Sequence, residues 1–130
     1  GRWVVGIDGA TAVRWDTLTG QTLDLGMSSA GYVTDDGRTA VGGGRFTLSL
    51  WREGQGAVPL LDYLTQFGVQ PPAGYTLAQI TGMSADGRTF VGTVEDSSFR
   101  GRAFVATVPA PGTAAPVMTG LGLVAARRRR

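Results

Sequence analysis

Asp36-Gly37-Arg38-Thr39-Ala40-Val41-Gly42-Gly43 returns as Asp86-Gly87-Arg88-Thr89-Phe90-Val91-Gly92-Thr93, 50 residues further along the chain. The opening Gly1-Arg2-Trp3-Val4-Val5-Gly6 matches Gly37 to Gly42 at a distance of 36 residues. A second element keeps step with the first. Ala12-Val13-Arg14-Trp15 corresponds to Leu48-Ser49-Leu50-Trp51, again 36 residues on, and then to Arg102-Ala103-Phe104-Val105. Self-similarity at such a period signals one supersecondary unit used repeatedly, each copy burying its apolar face on the next. About two and a half units occupy residues 1–107, with an insertion in the second copy inside 62–75, where Gln70-Pro71-Pro72-Ala73-Gly74 interrupts any strand.

The local chemistry of each unit predicts short strands. Asp-Gly steps at 8–9, 36–37 and 86–87 stand beside β-rich runs, and a type I′ hairpin turn needs φ > 0 at both central residues. Thr39-Ala40-Val41 and Thr89-Phe90-Val91 follow as strands. Thr11 to Trp15 forms another, turned at Thr19-Gly20 into Gln21 to Leu25. Leu48 to Trp51 turns at Gly54-Gln55-Gly56 into Ala57 to Leu61, and Ala103 to Val108 is the last strand. Leu60 to Phe67 suits one short helix at the start of the insertion. Twenty-one of the 130 residues are glycine, about twice the usual level, which suits tight turns and disfavours long helices. The expected fold class is all-β: short antiparallel four-stranded repeats, propeller-like, followed by a C-terminal hydrophobic helix. Trp3, Trp15, Trp51 and Phe90 are the expected inter-repeat core.

Charge and missing residue types exclude several chemistries. All twelve basic residues are arginine and four of them close the chain, so residues 1–126 carry eight Arg against ten Asp and Glu. The body is mildly acidic and the basicity is terminal, unlike a nucleic-acid surface, which spreads Arg and Lys over a folded face. No cysteine and no histidine is present. That removes disulfides, thiolate or imidazole metal sites and histidine-based nucleophile activation. No cofactor is expected.

The remaining polar groups read as turn formers. Asp35-Asp36-Gly37 lacks the oxygen-ligand spacing of a calcium loop. Asp86, Glu95 and Asp96 have nothing around them that makes a general-acid environment. Gly42-Gly43-Gly44-Arg45 lacks the Lys-Ser/Thr pair of a phosphate loop and reads as a strand exit. Ser28-Ser29 and Ser97-Ser98 have no base partner.

The last 23 residues have their own pattern: Val108-Pro109-Ala110-Pro111, an uncharged run from Thr113 to Ala126, and Arg127 to Arg130. As a helix, residues 113–126 span about 21 Å against a bilayer core of about 30 Å. Starting near Pro111 and letting Arg127 and Arg128 snorkel narrows that difference. Four arginines at one end stay cytoplasmic and place the repeats outside. Pro109 and Pro111 keep the preceding segment extended and open to a protease.

Two resemblances join these motifs. Ala12-Val13-Arg14-Trp15, Asp24-Leu25-Gly26 and Ser84-Ala85-Asp86-Gly87-Arg88-Thr89-Phe90-Val91-Gly92 resemble the HAF-type extracellular repeats of bacterial surface proteins, over residues 1–107. That resemblance implies a secreted or surface-associated, propeller-like protein with no assigned catalysis. The tail resembles the PEP-CTERM sorting signal, whose Val-Pro-Glu-Pro motif here carries Ala110 in place of Glu. It implies an exosortase-like membrane enzyme as processing partner, a lipid bilayer engaged by residues 113–126, and orientation by Arg127, Arg128, Arg129 and Arg130. The chain therefore reads as the C-terminal end of a larger exported, non-catalytic β-repeat protein. It is inner-membrane-anchored as a precursor, then surface or extracellular. Two alternatives are a polysaccharide- or matrix-binding module and an accessory part of an enzyme with its catalytic domain upstream.

Overall fold

The computed structural model describes residues 1–109 and the backbone of 123–127. It is mostly β, in three small antiparallel sheets. The first contains β1 (Trp3–Asp8), β2 (Thr11–Asp16) and β3 (Thr22–Asp24), in that order. The second contains β4 (Tyr32–Val33), β5 (Thr39–Gly44), β6 (Thr47–Arg52) and β7 (Gly56–Pro59), also in chain order. The helix α1 (Leu60–Thr65) leads to the third sheet, β8 (Thr76–Met83), β9 (Thr89–Glu95), β10 (Gly101–Thr107) and β11 (Leu123–Arg127).

The repeated turn has a chemistry of its own. In Thr34 to Thr39 the Asp36 carboxylate accepts from the Thr34 hydroxyl at 2.7 Å and from the Arg38 amide at 2.9 Å, and the Thr34 hydroxyl oxygen accepts from the Thr39 amide at 3.1 Å. Ser84 to Thr89 repeats every bond, at 2.6, 3.0 and 3.0 Å. Only the glycines, Gly37 at φ +73° and Gly87 at φ +72°, enter the left-handed region. The type I′ expectation is thus corrected. The aspartate satisfies backbone donors with its side chain, so it keeps ordinary backbone angles and only one residue needs φ > 0.

A second bond recurs three times and aligns the units. The amides of Thr17, Glu53 and Val108 donate to the carbonyls of Arg2, Arg38 and Arg88 at 2.9, 2.9 and 2.8 Å. Trp15 and Trp51 therefore align with Ala106, and the match of Ala12 to Trp15 with Arg102 to Val105 is one residue out of step. The cause is the longer β9–β10 connection, 96–100, against Arg45-Phe46 in the second sheet. A slip of one residue exchanges the faces of a strand. Phe104 and Ala106 point into the core, while Val105 is exposed.

The sheets stack face to face with two apolar layers between them. Ala12, Leu25, Met27, Ala30, Ala40 and Trp51 fill the first layer. The second is larger and includes Val41, Leu48 and Leu50 from one side and Leu77, Phe90, Val94 and Phe104 from the other. The insertion enlarges it. Leu60, Tyr63 and Leu64 of α1 are buried there, with the Tyr63 ring edge-on to Phe90 at 6.4 Å.

Trp51 and Phe90 meet the core expectation and Trp3 is half-buried, but Trp15 is 47% exposed. It lies on the outer face of the first sheet, opposite Val4 in register. The tail also departs from expectation. Residues 123–126 are strand, not helix, and pair with β10. An outer sheet edge offers unpaired N–H and C=O groups that an extended uncharged segment can satisfy. Residues 110–122 and 128–130 lie outside the described residues, so most of the expected helix does too. Among the described residues no helix is long and apolar enough to cross a membrane.

Candidate functional site

The site with the most direct sequence signal is the point where the chain leaves the third sheet. Val108 is buried in the larger core, its amide donates to the Arg88 carbonyl at 2.8 Å, and its own carbonyl accepts from Arg88 Nε at 3.3 Å. The arginine of the repeated turn thus clamps the chain from both sides immediately before Pro109, which is half-buried. Proline cannot donate to a ladder, so β10 ends here for a chemical reason. Of the expected sorting motif, Val108 and Pro109 are seen and Ala110 and Pro111 lie outside the described residues. Of the orienting cluster, Arg127 stands opposite Arg102 in the β10–β11 register, and Arg128, Arg129 and Arg130 lie outside.

Val108 has a double role that sequence reading missed. It is the first residue of the motif and also the last residue of the core. The aligned units carry no signal for the second role, because Glu53 and Thr17, which make the same bond, are exposed.

The other polar residues are committed to structure. Asp16 accepts from Arg2 Nε and Nη2 at 3.0 and 2.8 Å and from the Leu18 amide at 3.0 Å. The bidentate Arg2 bonds hold its carboxyl far below the usual carboxylate range. Asp36 and Asp86 are also lowered, chiefly by the hydroxyls of Thr34 and Ser84 and next by the amides of Arg38 and Arg88. Glu95 pairs with Arg45. Asp96 caps its own loop, accepting from the Ser98 and Arg100 amides at 2.8 and 2.9 Å. Among the described residues no cluster of three metal-donor side chains exists.

No protein-family model, curated protein or solved structure matches this chain.

Two further features come from packing alone. The Arg14 guanidinium lies 4.3 Å from the Trp3 ring centroid and 5.2 Å from that of Trp51, and Nη1 donates to the Gly37 carbonyl at 2.6 Å. It joins the first sheet to the turn of the second, at a position where the aligned units carry Leu50 and Val105. Among the described residues Nε finds no partner. A cleft of about 440 Å³ opens between the second and third sheets, lined by Ser29, Tyr32, Gly42 to Gly44, Arg45 and Gln79. Two of its polar groups are engaged: the Tyr32 hydroxyl donates to the Thr81 carbonyl at 2.7 Å and Ser29 Oγ accepts from the Gly43 amide at 3.2 Å.

The lowered carboxyls set a pH response. A carboxyl whose folded pKa lies below the unfolded value of about 3.9 contributes stability above that value and loses it as pH falls through the folded pKa. The melting temperature should therefore hold between pH 7 and 5 and fall steadily below about pH 4. The double substitution Asp36→Asn, Asp86→Asn should flatten the fall. Thermal melts by circular dichroism check both, and an unchanged slope in the double variant contradicts the assignment.

Proposed function

We propose that this chain is a non-catalytic, exported bacterial β-repeat protein of propeller-like architecture, surface- or matrix-associated, and delivered through a C-terminal sorting tail that an exosortase-like membrane enzyme processes. The observation that carries the reading is positional. The same turn recurs in the second and third sheets, the same backbone hydrogen bond recurs within all three, and the proline motif begins at the residue that makes the last of these bonds.

The arrangement divides labour between a self-contained β body and a tail. With Val108 locked into the core, processing near the proline motif removes the edge strand β11 and leaves β8, β9 and β10 with the side chains they bury. The tail has two ways to satisfy its backbone. Beside an open sheet edge, residues 123–127 extend along β10. That pairing sets Arg127 opposite Arg102 in register. In a bilayer no sheet edge is offered, so the uncharged run closes its hydrogen bonds internally as a helix. The four terminal arginines then hold the helix end at the cytoplasmic side.

The test replaces Arg127, Arg128, Arg129 and Arg130 with glutamate in the full precursor. The protease-accessible fraction at the outer surface should fall by about tenfold or more as the orienting charge is lost. Surface delivery at the unchanged level would sink the sorting assignment.

A further inference from the structure

Among the described residues, two that bear a side chain lie in the left-handed region: Phe46 at φ +63° and Phe99 at φ +61°. They sit in equivalent loops, β5–β6 and β9–β10. A Cβ crowds the backbone in that conformation, and for a bulky residue it is a true outlier. Glycine holds it at other turns of this chain, as at Gly54 and Gly74. Burial does not offset the strain, because Phe46 is 42% exposed and Phe99 69%. Nor do the turns need the rings. The Phe46 amide donates to the Ala78 carbonyl at 3.1 Å. The Phe99 amide donates to the Asp96 carbonyl at 3.0 Å, in a loop that the Asp96 carboxylate already closes. Any residue except proline makes those two bonds. Strain that the local structure does not require marks a side chain kept for another purpose.

The two rings converge at the junction of the second and third sheets. The Arg45 guanidinium lies 5.0 Å from the Phe46 ring centroid and 5.6 Å from that of Phe99, and Glu95 holds it in an ion pair. The Glu95 side chain is 11% exposed and that of Arg45 50%, so a nearly buried carboxylate fixes a cation that still faces solvent. The cleft of about 440 Å³ opens on the Arg45 side, and another of about 380 Å³ lies on the Phe46 side, between β6, α1 and β8. We propose that Arg45, Phe46, Glu95 and Phe99 form a polysaccharide-binding platform for neutral pyranose rings. A pyranose lays its C–H face on an aromatic ring, and its hydroxyls both donate and accept, which suits a guanidinium beside a carboxylate. Two phenyl rings on either side of one guanidinium engage neighbouring sugars of one chain. Anionic polymers fit less well. A phosphate or uronate has to compete with Glu95 for Arg45, with Asp96 next in the chain. The site rests on the matrix-associated reading for the source of its ligand.

The experiment runs the full 130-residue chain through native gels containing laminarin, dextran or hydroxyethyl cellulose, with alginate as the acidic comparison. The expected result is retardation by at least one neutral polymer, with affinity lowered about tenfold or more by Phe99→Gly and by Phe46→Gly. Thermal melts separate binding from packing. Phe99→Gly relieves a strained backbone, so its melting temperature should hold or rise while binding is lost. Phe99→Asn, which also tolerates φ > 0, repeats that comparison. A fall of about 5 °C or more in both variants gives the ring to packing and overturns the proposal. No retardation by a neutral polymer, retardation by alginate alone, or retardation that the Phe99 variants leave unchanged also overturns it. Surface delivery is read separately. A chain that binds no polymer overturns this site and leaves the sorting assignment standing, and unchanged delivery of the glutamate variant does the reverse.

Discussion

Gly92→Ala should lower the melting temperature by about 10 °C or more, while Gly6→Ala, at the matching position of the first sheet, should leave it level or slightly raised. At Gly92 the new carbon would be driven into the Gln79 carbonyl oxygen and to 2.9 Å from Phe104 Cε1. The first is backbone of the hydrogen-bonded neighbour strand, and the second belongs to a fully buried ring. Neither can move without disturbing the larger core. Overpacking of this kind costs typically about 1–3 kcal/mol, and more where backbone must shift. For a domain of this size 1 kcal/mol corresponds to about 4–8 °C. At Gly6 the methyl enters open space, and the loss of unfolded-chain freedom can add about 0.4–1 kcal/mol of stability. Thermal melts of the two variants side by side decide it. Equal small shifts would mean that the close crossing at Gly92 is not a constraint on the fold.

The second large effect separates two tryptophans that the repeat makes equivalent. Trp51→Ala should cost about 3–5 kcal/mol, as expected for truncating a buried aromatic. Trp15→Ala should cost less than about 1 kcal/mol, in the range of surface changes. Trp51 is 5% exposed and sits between two sheets, with the Arg14 guanidinium against its ring. Trp15 occupies the same place on a face with no sheet over it among the described residues. Denaturant midpoints measured with unchanged slopes provide the comparison. A Trp15→Ala loss as large as that of Trp51→Ala would show that the outer face of the first sheet is covered in solution.

The repeat was legible because turn chemistry is local. Thr or Ser two residues before Asp, then Gly and a Thr, closes the same hydrogen-bonded loop wherever it occurs, at Thr34 to Thr39 and at Ser84 to Thr89. The short helix near Leu60 was legible too, since its apolar residues and flanking breakers lie within a few positions of each other. The turn type was misjudged because Asp-Gly alone does not reveal that the carboxylate serves as acceptor. The alignment of the third unit slipped because one longer loop displaces the register by a single residue, and only the recurring bond at Val108 shows where it settles.

The candidate site divides in the same way. Pro109 as the end of a strand follows from its lack of an N–H and could be read from the letters. That Val108 belongs to the core could not, because burial depends on what the third sheet packs against. Residues 123–126 of β11 were read as part of a helix over 113–126 from its uncharged composition. An apolar segment takes the structure that satisfies its backbone in the medium at hand, and the edge of β10 is not visible in the residues of the tail.

The amino-acid sequence by itself determined the kind of element, the turns between elements and their repetition, because these depend on contacts a few residues apart. Only the tertiary structure decided which copies of a repeated residue are buried and which glycines guard a crossing. Identical residues acquire different energies from what lies across the layer from them, and that neighbour is set by the stacking of whole sheets.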